Sequence, residues 1–393
     1  MSGIRPNAVL GRIVPILMAT FMALGSRLVL TEVCPFIINE LGMSFVGRLY
    51  QATFLIIFTL VSALYLWIYL QPQTHSSPPA RIPEAVQRKL IVYEVSDSLG
   101  TPSICDLCGG RLKPLRSRHC LDCGSCKTGF DHHCVWFSTC ITASTTLKPF
   151  IQILLLAPIL LFLGALPIVQ IVRGQVAEVV RLTWTNGPSG DLLRTIWWTP
   201  WWGWAGGPGW RYAGGLVLGY WHYHSLRIQY EPMSDLPQPD QKYLSLSQPT
   251  LSTLILLLVA FLVFLVTLAL LAITIRHTIL HGRHTIDVER FRRWRPHHGK
   301  DPAGWDPRVK VWVPDRTGTG GKVVRLEPSE DVFDNGLIQN WQGLMGTQIF
   351  EWFVPWTAAS PSGVRQSEGV EWHISSDWME KLREREAFQD LTS

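Results

Sequence analysis

Charged residues are scarce in this sequence. Asp, Glu, Lys and Arg make up 17% of its 393 residues and 47% of the residues are hydrophobic, whereas soluble globular domains contain about 25% charged residues. The net charge is only +5 and is not gathered into a basic stripe, so a nucleic-acid-binding protein is not expected. The shortage of charge also argues against an ordinary cytosolic enzyme and against a disordered chain. We therefore expect a membrane protein.

Charge is missing altogether from three long stretches, which are Tyr50–Leu70, Phe150–Val172 and Leu251–Ile275. A helix needs about 20 apolar residues to cross about 30 Å of hydrocarbon, and a buried helix of that length in a soluble protein would show a polar face. A fourth stretch, Ile13–Leu30, carries Arg27 and has a signal peptide as its alternative interpretation. The sequence predicts four transmembrane helices.

The basic residues between these stretches predict the orientation of the chain. The segment Gln71–Pro149 contains nine Lys or Arg residues, whereas Thr31–Arg48 contains one. Because basic loops stay in the cytosol, we expect Gln71–Pro149, the basic tail after Ile275 and both termini to be cytosolic. Residues 173–250 would then be lumenal. Their Trp-rich run over Ile196–Trp204 is either an aromatic patch at the membrane interface or a platform for a ligand.

Cysteine is almost confined to one part of the chain. Apart from Cys34, every cysteine lies between Cys105 and Cys140. Such a cluster indicates either disulfide bonds or a metal site, and a reducing cytosol favours the metal. A two-residue spacing lets both thiolates of a pair bind one zinc ion at about 2.3 Å. The pairs with this spacing are Cys105 and Cys108, Cys120 and Cys123, and Cys123 and Cys126.

The candidate ligands outnumber the needs of two tetrahedral zinc ions. Three histidines, His119, His132 and His133, lie within the cysteine cluster. Six cysteines and two histidines would complete two sites. One cysteine and one histidine would be left over, and such a pair is what nucleophilic catalysis requires. The residue types alone do not identify the leftover pair, and a purely structural zinc module is the alternative.

These features predict an all-α integral membrane protein with a cytosolic zinc domain between the second and third of four transmembrane helices. Residues 1–70 would contain the first two helices, and residues 71–149 would form the zinc domain. Residues 150–275 would contain the last two helices, and residues 276–393 would form a cytosolic tail. This tail is predicted to end in a helix over Ser376–Leu391.

The cysteine pattern resembles the cysteine-rich domain of the DHHC-family protein S-acyltransferases, the palmitoyltransferases. The resemblance is carried by the sequence Asp131-His132-His133-Cys134, by Trp136 and Cys140 after it, and by the cysteine pairs before it. The predicted position in a cytosolic loop between the second and third helices agrees with the family, and the resemblance extends from Ile13 to Gly346.

The resemblance implies two structural zinc ions, each bound by three cysteines and one histidine. The first set carried over to this sequence is Cys105, Cys108, His119 and Cys126. The second set is Cys120, Cys123, His133 and Cys140. Cys134 and His132 would then be the pair left over.

The resemblance also implies a ping-pong reaction with three catalytic residues. Cys134 would accept a long-chain fatty acyl group from palmitoyl-CoA and pass it to membrane-proximal cysteines of substrate proteins. His132 would act as the base, because a neighbouring imidazole increases the thiolate fraction of a cysteine, and Asp131 would orient His132. The bilayer would be that of the endoplasmic reticulum or Golgi. No residue is assigned to the coenzyme, although Arg116, Arg118 and Lys127 are candidates for its phosphates.

Several positions depart from the family pattern. Val135 replaces the usual proline, and Ser138, Thr139, Thr142 and Thr145 also stand where the family has other residues. The segment Arg283–Asp287 follows the fourth helix, where the family usually has Thr-Thr-x-Glu, so that His284 and Asp287 replace Thr and Glu. Phe333–Trp341 resembles a motif of the family's tail. The three catalytic residues and all implied ligands are retained, so we expect an enzyme. A catalytically silent zinc-containing membrane scaffold is the alternative function.

Overall fold

A computed structural model of the protein describes residues 6–71, 77–78, 81–184, 188–230, 251–294, 308–355 and 374–387. Four helices in these ranges are long and apolar enough to cross a membrane. They are Leu10–Asn39, Ser44–Tyr69, Leu147–Val169 and Ser252–Ile279. The prediction of four membrane-spanning helices is therefore confirmed by length and composition.

The helices are α1 (Pro6–Leu28), α2 (Ser44–Tyr69), α3 (Glu84–Gln87), α4 (Leu147–Leu182), α5 (Pro188–Leu193), α6 (Gly207–Tyr230), α7 (Leu251–Thr274), α8 (Thr285–Trp294), α9 (Leu337–Met345) and α10 (Ser376–Glu384). Helix α1 continues through π-helical turns at Val29–Val33 and Phe36–Glu40, and α7 continues through another at Ile275–Ile279. These wider turns extend both helices beyond the ranges that the apolar runs predict.

The chain divides into two compact units. The first contains Met1–Thr20, Thr59–Pro158 and Leu265–Ser393, and the second contains Phe21–Phe58 and Ile159–Phe264. The first unit holds the cysteine cluster and the residues of the DHHC-like motif. The second holds the Trp-rich region.

The first unit contains short strands besides its helices. They are β1 (Tyr93–Glu94), β2 (Ile104–Cys105), β3 (Arg111–Leu112), β4 (Arg118–Cys120), β5 (Ser125–Lys127), β6 (Phe130–Cys134), β7 (Thr139–Thr142), β8 (Val309–Pro314) and β9 (Gly321–Leu326). The prediction of an all-α protein is therefore too coarse. Strands of two to six residues carry too little hydrophobic periodicity to be identified from sequence with certainty, and a hairpin reverses the chain within the few residues that separate the cysteines.

The strands pair into one sheet and three hairpins. Strands β1, β8 and β9 form an antiparallel sheet in that order, in which Tyr93 pairs with Trp312. This sheet is buried by apolar residues of the tail, including Leu382 of α10. The hairpins β2–β3, β4–β5 and β6–β7 follow one another along the cysteine cluster. Each is antiparallel, so residues on neighbouring strands face one another in pairs.

The predicted tail helix ends early. Helix α10 covers Ser376–Glu384, and Arg385 adopts an extended conformation. Its guanidinium pairs with the Glu330 carboxylate and donates a hydrogen bond of 3.1 Å to the Arg325 carbonyl. These contacts draw the chain out of the helix at this residue. The last residues of the predicted helix, 388–391, lie outside the described part of the chain.

The second unit shows that the predicted lumenal segment is largely helical. Helix α4 continues to Leu182, and α6 follows the Trp-rich turns. Gly219 of α6 lies against α4 so closely that a Cβ atom there would be 2.3 Å from the Val179 carbonyl oxygen. Small residues allow such close helix packing. Helix α6 is not among the four candidate spans found in the described ranges, and residues 231–250 of the predicted loop lie outside them.

Candidate active site and metal centres

Two tight turns bring the cysteines of each pair together. In Cys105–Cys108 and in Cys120–Cys123, the second cysteine is followed directly by a glycine with positive φ, 68° at Gly109 and 63° at Gly124. Residues with a side chain rarely adopt this conformation. The glycines therefore allow the chain to reverse immediately after the second thiol of each pair, and both thiols point to the same side of the turn.

The remaining ligands come from cross-strand pairs. His119 on β4 faces Cys126 on β5, and His133 on β6 faces Cys140 on β7. Each pair lies next to a cysteine turn from the preceding hairpin. The structure thus assembles the two sets that the resemblance implies, and the four ligand atoms of each set lie within 4.8 Å of one another. In both sets the candidate ligand atom of the histidine is Nδ1.

The spacing of the ligand atoms fits zinc. Tetrahedral zinc with Zn–S of about 2.3 Å and Zn–N of about 2.0–2.1 Å requires S···N distances of about 3.6 Å. In the first set, the distances from His119 Nδ1 to Sγ of Cys105, Cys108 and Cys126 are 3.7, 3.2 and 3.9 Å. In the second, those from His133 Nδ1 to Sγ of Cys120, Cys123 and Cys140 are 3.6, 3.4 and 3.7 Å. Both clusters could therefore hold a metal ion.

Strand β6 presents its two histidines to opposite sides. Side chains alternate along a strand, so His132 and Cys134 share one face while His133 points to the other, where the second cysteine cluster lies. The register of β6 shifts between Phe130 and His132. Such a bulge re-aims a side chain. Here it brings Asp131 to the side of His132, and Asp131 Oδ2 lies 2.8 Å from His132 Nδ1.

Asp131 is buried and receives several hydrogen bonds. The backbone N–H of Thr285 donates to Oδ1 at 2.9 Å, and the Thr285 hydroxyl donates to the same oxygen at 3.0 Å. His284 Nδ1 lies 3.7 Å from that oxygen. Burial would raise the pKa of Asp131, but the hydrogen bond from His132 and the electrostatic interactions with the His132 and His284 imidazoles hold it well below its usual range. Asp131 is therefore an anion with a fixed orientation.

His132 interacts with both the Asp131 carboxylate and the Cys134 thiol. Burial alone would lower the pKa of His132, but hydrogen bonds to Asp131 and Cys134 outweigh it and raise the pKa to about 9. A protonated imidazole next to a thiol stabilises the thiolate. The arrangement of Asp131, His132 and Cys134 is thus one that can generate a nucleophilic sulfur.

Cys134 lies at one end of an apolar cluster. It is 5% exposed and packs with residues of α2, α4 and α9, among them Ile68, Ile151 and Leu344. Apolar surface around a nucleophile favours substrates with a hydrocarbon chain, since each buried methylene contributes about 0.8 kcal/mol. The cluster therefore provides an apolar surface next to the reactive sulfur.

Sequence reasoning missed the role of Thr285. The sequence relates Arg283–Asp287 to a family motif, with departures at His284 and Asp287, but no role is predicted for Thr285 itself. The structure connects the end of this segment to the cysteine-rich region as well, because Arg116 Nη2 lies 2.7 Å from Asp287 Oδ2.

The burial of Arg116 and Lys127 argues against two of the residues suggested for the coenzyme phosphates. They are only 3% and 1% exposed. Arg118 is exposed, and its guanidinium pairs with Glu289. Arg116 is also packed against Phe333, with its guanidinium carbon 3.8 Å from the ring centre.

Residues 99–192 match the family model described as DHHC palmitoyltransferase. Palmitoyltransferase Hip14 of Drosophila melanogaster is 36% identical over 86 residues, which are 21% of this chain and 13% of that protein. Palmitoyltransferase ZDHHC4 of Mus musculus is 41% identical over 75 residues, 19% of this chain and 22% of the relative.

A third relative gives a longer match. Palmitoyltransferase ZDHHC15 of Xenopus laevis is 31% identical over 115 residues, which are 23% of this chain and 33% of that protein. The chain thus matches no more than a third of the length of these three curated relatives. The segment matched by the family model, residues 99–192, includes the two cysteine clusters and Cys134.

Proposed function

We propose that this protein is a protein S-palmitoyltransferase, because residues 99–192 match the DHHC palmitoyltransferase family model. It would transfer a long-chain fatty acyl group from palmitoyl-CoA to cysteines of substrate proteins. The observation that carries the proposal is that His132, bound to Asp131 through Nδ1, lies on the same strand face as Cys134, which packs in an apolar cluster. An acyltransferase needs both a nucleophile and a surface for the chain.

In the first half-reaction, Cys134 would attack the thioester carbonyl of palmitoyl-CoA. The thiol proton moves to His132, and the thiolate forms a new C–S bond. The coenzyme thiolate leaves as its own C–S bond breaks, and it takes the proton from His132. Asp131 holds Nδ1 of the imidazole and stabilises the imidazolium that forms. The products are free coenzyme A and a thioester on Cys134.

In the second half-reaction, a cysteine of the substrate protein would attack the Cys134 thioester. His132 now takes the proton of the incoming thiol and returns it to the Cys134 sulfur as that sulfur leaves. The protein is restored, and the acyl group is bound to the substrate as a thioester. The same imidazole serves as base and then as acid in both halves.

The two Cys/His clusters would hold two structural zinc ions. Four protein ligands complete each tetrahedral site, so no position is open for a substrate. The ions would brace the hairpins and thereby fix the strand that carries His132 and Cys134. The described residues around the second cluster offer little other core, because Phe130 is the large apolar side chain that packs with its cysteines.

We further propose a cytosolic zinc domain at residues 71–149, with residues 1–70 and 150–275 supplying the membrane helices and 276–393 a cytosolic tail. The basic residues of the loops support this orientation. Endoplasmic reticulum or Golgi membranes are the proposed location, and cysteines close to the membrane surface are the proposed substrates, since Cys134 lies at the end of the apolar helices.

The test is detection of the acyl-enzyme. Purified full-length protein is incubated with labelled palmitoyl-CoA and analysed by mass spectrometry. We expect one label per chain on Cys134, no label in Cys134→Ala, and normal labelling in Cys34→Ala, which removes a buried cysteine outside the cluster. Zinc content should stay at about two ions per chain in both variants. Transfer by Cys134→Ala at the parental rate would refute the proposal, and an unlabelled parent protein would favour a silent scaffold.

A further inference from the structure

The turn that follows Cys134 is weakly held by its own backbone. Its hydrogen bonds, from Phe137 N–H to the Cys134 carbonyl and from Ser138 N–H to the Val135 carbonyl, are both 3.3 Å long, whereas about 2.9–3.0 Å is usual. Ser138 ends the turn with a φ of +52°, a conformation that residues other than glycine rarely adopt. Other contacts must therefore fix the turn relative to the helices.

Tyr65 of α2 supplies such a contact. Its hydroxyl donates a hydrogen bond of 2.7 Å to the carbonyl of Trp136, two residues after Cys134. Tyr65 is part of an unbroken helix from Ser44 to Tyr69, so the hydroxyl is held by a rigid element. The bond ties the middle of the turn to the end of this helix.

The Tyr65 ring also starts a chain of aromatic contacts that reaches the proposed base. Its centre lies 5.0 Å from that of Phe137, which lies 6.2 Å from that of Phe150 in an edge-on arrangement. The Phe150 ring is in turn edge-on to the His132 imidazole at 5.5 Å. Aromatic pairs in these geometries are favourable beyond the surface that they bury. One tyrosine thus contacts the turn after the nucleophile directly and is linked through Phe137 to the Phe150 ring that supports the base.

We infer that Tyr65 is a positioning residue for the acyl transfer. Its hydroxyl holds the turn after Cys134, and its ring supports His132 through Phe137 and Phe150, so that the sulfur and the imidazole stay aligned. The inference rests on the proposed function. Tyr65 takes no part in the chemistry itself, and its contribution is the fixed geometry of the pair.

The experiment compares two tyrosines of the same helix. Tyr65→Phe removes only the hydroxyl that bonds Trp136. Tyr50→Phe is the matched control, because the Tyr50 hydroxyl donates a similar bond of 3.0 Å to the Leu163 carbonyl within the second unit. Full-length proteins are purified, and acylation of Cys134 by labelled palmitoyl-CoA is followed over a range of donor concentrations. Zinc content and melting temperature are measured for each.

We expect Tyr65→Phe to lower kcat for acylation by about 10-fold with KM changed less than about twofold, because misalignment of reacting groups affects the chemical step. Tyr50→Phe should leave both constants within about twofold, although each variant loses one comparable bond and should melt slightly earlier. Tyr65→Leu, which also removes the ring, should be slower than Tyr65→Phe.

Equal kcat for Tyr65→Phe and Tyr50→Phe would overturn the inference. So would a loss confined to KM, or a loss of zinc that accounts for the lower rate. If Tyr65→Phe does not fold, Phe137→Leu breaks the same ring contacts from the other side and must lower kcat in the same way. A parent protein that forms no acyl-enzyme would refute the proposed function instead, and the two failures are therefore distinguishable.

Discussion

The adjacent histidines of β6 are predicted to respond to substitution in opposite ways. His132 Nδ1 lies 2.8 Å from Asp131 Oδ2, whereas His133 Nδ1 lies between 3.4 and 3.7 Å from three cysteine sulfurs. His132→Ala should therefore keep both zinc ions and slow acylation by about 10²–10⁴-fold, the range for loss of a general acid–base group. His133→Ala should lose the second zinc ion.

The consequence of losing this ion can be estimated from the packing around it. The buried cluster at the second site consists of Cys120, Cys140 and Phe130, with Cys123 half-buried against it. Burial of one phenylalanine contributes about 1.5–3 kcal/mol, whereas a structural zinc ion contributes about 10–16 kcal/mol in small zinc domains. Metal binding therefore dominates the local stability by several-fold, and His133→Ala should unfold the β6–β7 hairpin as well as release the ion.

Metal analysis and acylation kinetics on the same preparations check this prediction. The parent protein and His132→Ala should each contain about two zinc ions per chain, and His133→Ala about one. Limited proteolysis should cut His133→Ala in the zinc domain and leave His132→Ala intact there. If His132→Ala released zinc while His133→Ala retained it, the alternation of side chains along β6 would have been assigned the wrong way round.

Two further predictions concern Thr285 and the orientation of the chain. Thr285→Val removes one of two donors to Asp131 Oδ1. Since a hydrogen bond to a charged group contributes about 1.5–3 kcal/mol, acylation should slow about 10-fold at unchanged zinc content. Thr285→Ser, which retains the hydroxyl, is the control, and equal acylation rates for the parent protein and both variants would contradict the argument. On sealed vesicles with the cytosolic face outward, protease should cut the tail after residue 294 and spare residues 173–250. Protection of the tail would mean that the basic-loop argument assigns the wrong side.

Sequence reasoning succeeds for those parts of the fold that repeat a simple physical pattern. A run such as Leu251–Ile275 clearly predicts a membrane-spanning helix, because about 20 consecutive apolar residues without charge match the thickness of the hydrocarbon core of a bilayer. The short strands offered no such pattern. Strand β2 contains two residues. Its pairing with β3 is set by the turn that brings Cys105 and Cys108 together, and not by a hydrophobic pattern in the strand itself. The early end of α10 at Glu384 likewise depends on a distant partner, Glu330, that bonds Arg385.

The candidate site was predictable as a list of residues, but its geometry was not. The alternation of side chains explains the separation of His132 from His133 once β6 is known to be a strand. The position of Asp131 follows from a bulge, which depends on the partner strand and has no local signature here. Thr285 lies 154 residues further along the chain, so only tertiary structure shows that it fixes the Asp131 carboxylate.

One strand thus couples the metal centre to the candidate nucleophile. His133 and Cys140 face each other across β6 and β7, so a metal ion bound there fixes the register of the hairpin. In the same register Cys134 faces Thr139, and His132 faces Ile141. A slip of one residue would exchange the two faces of β6, placing His132 towards the cysteine cluster and His133 towards the helices. A metal ion bound in the second cluster would therefore decide which face of β6 points to the helices, and with it whether His132 and Cys134 lie there together.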